Sequence, residues 1–135
     1  NGQIVSVEIS PRMMRDLSKL SELRPGLIPV LGDARKPTVI SPYLRDKVDW
    51  IHQDISVAEQ TKSFLKISDI FLKPNGIGLL SFKAASERWR AGGDDSRFKE
   101  AEEMINSSES VNLLDNIDIS HFESQHRIFV IKKID

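Results

Sequence analysis

The chain has 135 residues, with 19 Lys and Arg against 20 Asp and Glu, a net charge of −1 and no cysteine. That length suits a single compact domain. The balanced charge argues against a globally basic nucleic-acid grip, and the missing thiols exclude disulfides, thiolate zinc sites and cysteine nucleophiles. No apolar run is long enough to span a bilayer, and the first residues carry no signal-peptide block, so a soluble intracellular protein without a membrane partner is expected. Hydrophobic residues at 39% and charged residues at 29% are globular proportions, so disorder is not indicated. The chain opens on the turn dipeptide Asn1-Gly2 and runs straight into apolar residues without an initiator Met, which reads as a piece of a longer protein.

Gln3 to Val7 is β-branched and apolar and ends at Glu8; Ser10-Pro11 then supplies a cap and a proline suited to a helix start. Met13, Met14, Leu17, Leu20 and Leu23 recur at helical spacing until Pro25-Gly26. Leu27 to Leu31 reads as a strand whose Pro29 suits a sheet edge, closed by Gly32-Asp33. A loop with Lys36-Pro37 and Ser41-Pro42 follows.

Val48 to His52 is a third strand ending at Asp54, and Val57, Thr61, Phe64, Leu65, Ser68, Phe71 and Leu72 mark one face of a long helix. Lys73-Pro74-Asn75-Gly76 reads as the turn that stops it. Ile77 to Phe82, nearly all apolar, suits a strand covered on both faces, and ends at Lys83. Ala84 to Asp95 is a polar loop, Ser96 to Asn106 a helix, and Val111 to Ile119 with Ile128 to Ile134 an antiparallel hairpin. Trp50, Phe64, Phe71 and Phe82 are most simply core. The alternation predicts an open α/β sheet, mostly parallel, with one reversed strand.

In such sheets ligands bind beyond the carboxyl ends of the strands, where Glu8, Asp33, Asp54 and Lys83 each close a successive strand. A carboxylate there can accept from both hydroxyls of a ribose, and Glu8 is the candidate. Each position also has a plainer reading: a carboxylate is favoured at a helix N-terminus in any case, and Lys83 could simply snorkel to solvent. His52 reads as a packed histidine, and three histidines on different elements make a metal site an unpromising expectation. Arg88-Trp89-Arg90 interleaves an aromatic with two guanidinium groups, a combination that suits RNA or a plain basic loop.

Several stretches resemble the fibrillarin family of S-adenosylmethionine-dependent RNA 2′-O-methyltransferases: VSVEISPR from Val5, IPVLGDARKP from Ile28, VDWIHQDI from Val48, LKPNGIG from Leu72, SFKA from Ser81 and ESQHRIFV from Glu123. The likeness covers essentially the whole chain. It implies the Rossmann-like class I methyltransferase sheet with its C-terminal antiparallel hairpin, residues 1 to 135 forming the C-terminal portion of one domain. It further implies that Glu8 holds the cofactor ribose, Asp33 and the Ala34 backbone meet the adenine edge, Asp54 sits by the methionine end and the transfer site, and Gln60 lines the pocket. Lys83 and His126 complete the catalytic set with Asp54.

Fibrillarins also carry, before the strand equivalent to Gln3–Val7, a further strand and a Gly-rich cofactor turn. The resemblance implies that they precede Asn1 in the biological protein, because without them two interior strand edges go unpaired. The implied partners are a Nop-family scaffold protein, a box C/D guide RNA with its target RNA, and a kink-turn-binding ribosomal-type protein. The implied location is cytoplasmic for an archaeal-type protein and nucleolar for a eukaryotic one. Departures from the family pattern fall at Gln53, Val57, Ala85 and Gln125, where an acidic residue, a glutamine, an arginine and an aspartate are usual. Two alternatives therefore stand beside the enzyme: a catalytically inactive assembly protein, and a nicotinamide-dependent oxidoreductase using an acidic residue after its second strand.

Overall fold

The computed structural model describes residues 2–87 and 93–135, which form two compact units, 1–46 and 47–135. The expected Arg88, Trp89 and Arg90 contacts lie outside the described residues.

In the first unit β1 (Ile4–Glu8) pairs in parallel with β2 (Leu27–Leu31), Glu8 lying opposite Leu31. Between them runs α1 (Pro11–Leu23), opened by Ser10, whose hydroxyl accepts the Met13 N–H, and by Pro11, which has no N–H to leave orphaned. Gly26 makes the return turn at φ 95°, a conformation that a side chain would strain. Pro29 is tolerated because, among the described residues, β2 bonds to β1 alone. The stretch expected as loop contains α2 (Pro37–Ile40) and a short 3-10 turn at Ser41–Tyr43. α2 begins on Pro37 and the 3-10 turn has Pro42 as its second residue, the prolines that marked the stretch as loop, since proline favours the first turn of a helix.

In the second unit four strands lie in the order β3 (Val48–Gln53), β4 (Leu72–Lys83), β6 (His126–Lys133), β5 (Val111–Asp118). β3 and β4 are parallel, while β6 runs antiparallel to both of its neighbours. The fold is therefore α/β with a mixed sheet and a terminal hairpin. Among the described residues β1 bonds only to β2 and β3 only to β4, giving two sheets in place of one continuous sheet.

α3 (Gln60–Phe71) and α4 (Asp94–Ser107) pack on one face of this sheet over Phe64, Leu80, Phe82, Ala101, Ile105, Phe129 and Ile131. Phe82 meets Phe98 and Phe129 edge-on at 5.8 and 6.0 Å. Gly78 permits the close approach of Phe64, since a Cβ there would lie 2.9 Å from its ring.

Three local expectations are corrected. Val57 and Leu72 lie outside α3, in the preceding bend and at the start of β4. Lys73-Pro74-Asn75-Gly76 does not separate helix from strand but forms a bulge inside β4, with Leu72 opposite Val48 and Ile77 already opposite Trp50. Asn75 takes the left-handed conformation that absorbs the extra residues, at φ 66°. Trp50 is not core: it is 47% exposed, on the face of β3 that it shares with His52.

Candidate active site

Glu8 ends β1 and Asp33 comes two residues after its parallel neighbour β2, so the two share the carboxyl-end rim of the first unit. Glu8 Oε1 accepts the Ser10 N–H at 3.1 Å, which fixes the carboxylate beside the α1 N-terminus and leaves acceptor capacity on both oxygens. Asp33 is more committed. Its Oδ1 accepts from the Arg35 backbone N–H and Nε, and its Oδ2 from Arg35 Nη2 at 2.7 Å. These hydrogen bonds, side chain first, draw the Asp33 carboxyl down to about 2. Any further donor to Asp33 therefore shares its oxygens with Arg35. Ala34 sits between them, and Gly32 lets the loop close onto Val39, 2.6 Å from where a Cβ would lie.

In the second unit the parallel strands β3 and β4 deliver Asp54 and Lys83 to the carboxyl-end rim of their own sheet. Lys83 Nζ lies 2.5 Å from Asp54 Oδ1 and donates to Ser56 Oγ at 3.2 Å, with its side chain mostly shielded. His126 is the direct antiparallel partner of Lys83. Its Nδ1 donates to the Ser124 carbonyl at 2.7 Å, while the largely buried Nε2, 3.3 Å from Glu123 Oε2, makes no hydrogen bond among the described residues. The structure thus pairs Asp54 with Lys83 and sets His126 opposite Lys83 in the strand register, its ring turned to Ser124 and Glu123. A carboxylate and an ammonium so paired can orient a hydroxyl, take its proton and stabilise developing oxyanion charge.

Gln60 has a different task from pocket lining. It is fully buried, and its amide donates to the Lys83 carbonyl and accepts the Lys83 N–H, both at 2.9 Å. No face remains for a cofactor. Gln53 donates to the Gln60 carbonyl at 2.9 Å, a bond that an ionised acid could not make, which accounts physically for the departure there. The Gln125 carbonyl accepts the Ala84 N–H, tying the hairpin loop to the end of β4, with Gln125 itself at φ 63°. His52 Nε2 contacts Ser81 Oγ at 2.9 Å, a satisfied histidine.

Two residues escaped sequence reasoning. Glu87, buried, accepts the backbone N–H groups of Glu59 and Gln60 at 3.0 Å and so caps α3 from another element. Ser56 braces Lys83. The only sequence signal for Glu87 was negative: no Ser, Thr, Asp or Asn stands at the α3 N-cap. Among the described residues no group of three His, Asp or Glu is placed to hold a metal ion, and no helix is long and apolar enough to cross a membrane.

A family model described as Fibrillarin matches residues 1–135. The fibrillarin-like rRNA/tRNA 2′-O-methyltransferase of Methanothrix thermoacetophila is 36% identical over 98% of this chain and 60% of its own length. A fibrillarin/Nop5p complex superposes at a TM-score of 0.89 with 26% identity, covering 98% of this chain and 62% of that one. Aeropyrum pernix fibrillarin, solved with natively bound S-adenosyl-L-methionine, gives 0.78 with 26% identity, covering 96% and 55%. The chain spans a little over half the length of the curated relatives it matches.

Proposed function

The chain belongs to the fibrillarin family, and from that premise we propose that it forms part of an S-adenosylmethionine-dependent methyltransferase domain acting on ribose 2′-hydroxyls of pre-rRNA or tRNA. The observation that carries the proposal is the Asp54–Lys83 ion pair at the carboxyl ends of adjacent parallel strands, with His126 opposite Lys83. Within the first unit, Glu8 offers a fixed carboxylate with free acceptor capacity, which suits the hydroxyls of a cofactor ribose. When bound, S-adenosylmethionine supplies an electrophilic methyl carbon.

The chain's own residues do the rest. Lys83 donates a hydrogen bond to the attacking 2′-oxygen and stabilises its developing charge, and Asp54 holds Lys83 in place and offers an acceptor for the hydroxyl proton. His126 stands opposite Lys83 on the neighbouring strand β6.

With a net charge of −1 the chain does not select RNA by bulk attraction. Specificity comes from a box C/D guide RNA pairing with the target, with a Nop-family scaffold and a kink-turn-binding protein in the same particle. The fibrillarin/Nop5p complex among similar structures supports the scaffold. The proposed location is cytoplasmic for an archaeal-type protein and nucleolar for a eukaryotic one.

A second reading, an inactive assembly protein, is favoured by Val57 and by Asp33, whose oxygens are already engaged by Arg35. Calorimetric titration with S-adenosylmethionine separates the two. The enzyme reading expects binding that Glu8→Ala weakens roughly ten-fold or more, the loss of a charge-assisted hydrogen bond. Absence of binding by the full-length protein rejects it.

A further inference from the structure

We propose that Phe122, in the loop between β5 and β6, is a nucleobase-stacking residue that positions the RNA strand at the Asp54–Lys83–His126 cluster. The proposal rests on the methyltransferase reading and adds a residue to its RNA contact. Phe122 is 89% exposed, the largest exposure among the exposed large hydrophobic side chains. Single exposed apolar residues are ordinary on protein surfaces. What separates Phe122 from Leu23 or Ile9 is anchoring and place.

The loop that carries it is tied at both ends. Ser120 N–H donates to Asp118 Oδ1, the N–H groups of Phe122 and Glu123 both donate to the Ile119 carbonyl, the Ser124 carbonyl accepts from His126 Nδ1, and the Gln125 carbonyl accepts the Ala84 N–H. A ring held on such a frame in water loses little further freedom when something stacks on it, which is the condition for a binding contact.

Its place is the chemical end of the sheet. His126 is the strand partner of Lys83, and Phe122 stands four positions before it, so the α-carbons of Phe122 and His126 lie within roughly 14 Å even at full extension. A ribose presented to Lys83 brings its own base and its neighbours into that radius. Single-stranded RNA is recognised largely by splayed bases stacked on aromatic side chains, and every base has a face to offer.

The test uses full-length protein and a short single-stranded RNA carrying 2-aminopurine, whose fluorescence falls when an aromatic ring stacks on it. Wild type quenches the probe; Phe122→Ala loses the quench and binds the RNA roughly 5- to 100-fold more weakly; Phe122→Trp restores both. Equal quench and affinity in wild type and Phe122→Ala overturns the proposal. So does a Phe122→Ala protein that keeps its RNA affinity but no longer retains the Nop-family scaffold in a pull-down, which makes the ring a protein contact. S-adenosylmethionine binding is titrated on the same samples and stays equal across the three proteins. Its absence in wild type rejects the methyltransferase reading, and the fluorescence result still decides whether Phe122 stacks.

Discussion

The side-chain amide of Gln60 and the backbone of Lys83 exchange two hydrogen bonds, each 2.9 Å, so the first residue of α3 holds the last residue of β4 like a strand partner. The clamp fixes the backbone from which the Lys83 ammonium reaches Asp54. Gln60→Glu replaces the donor by a carboxylate facing the Lys83 carbonyl and Glu87. We expect urea denaturation to show a loss of roughly 1 to 3 kcal/mol, the cost of leaving buried polar groups unpaired. An unchanged midpoint rejects the clamp.

Lys83→Ala and Asp54→Asn test the proposed chemistry. The first removes the oxyanion donor, the second the acceptor carboxylate. Each is expected to lower methyl transfer to RNA by roughly 100-fold or more, with far-ultraviolet dichroism unchanged, since both groups lie at the sheet rim outside the apolar core. Transfer within a few-fold of wild type in either variant removes the assigned role.

Glu87→Ala withdraws the acceptor from the N–H groups of Glu59 and Gln60. The expected result is a loss of roughly 1 to 3 kcal/mol and faster amide exchange confined to the first turn of α3. Exchange that stays slow there contradicts the capping role.

Lys133, nearly buried at the end of β6, sits 2.6 Å from Asp69 Oδ1, and this hydrogen bond with its charge attraction lowers the Asp69 carboxyl from its ordinary 3.8. A depressed folded-state value means the stabilisation is present above the unfolded value and is lost as pH falls through the folded one. Asp69→Asn should therefore melt below wild type near neutral pH, with the gap closing as pH drops beneath about 4. A gap that is constant with pH assigns the effect to packing.

The residues at the strand ends were legible because a short β-branched run stopped by a polar residue is a local pattern: Glu8 and Lys83 end β1 and β4, and Asp33 and Asp54 come just after β2 and β3. What was not legible depends on pairs distant in sequence. Gln60 looked like a pocket residue because its bond to Lys83 spans 23 positions, and Glu87 was invisible as a cap because its partners lie 27 and 28 positions away. The Lys73–Gly76 bulge was misread because turn residues look the same between elements and inside a strand. The Asp33–Arg35 pair was not legible for the opposite reason: the two are only two residues apart, but sequence gives no side-chain direction.

The central claim is that this chain takes part in placing a methyl group on a ribose oxygen, and alkaline hydrolysis of the product RNA tests it most directly, because a methylated 2′-oxygen can no longer cleave its own phosphodiester. Full-length protein in the reconstituted guide particle, supplied with labelled S-adenosylmethionine, should yield label in an alkali-resistant dinucleotide, abolished by Lys83→Ala. Label released with single nucleotides, or none transferred at all, would contradict the account.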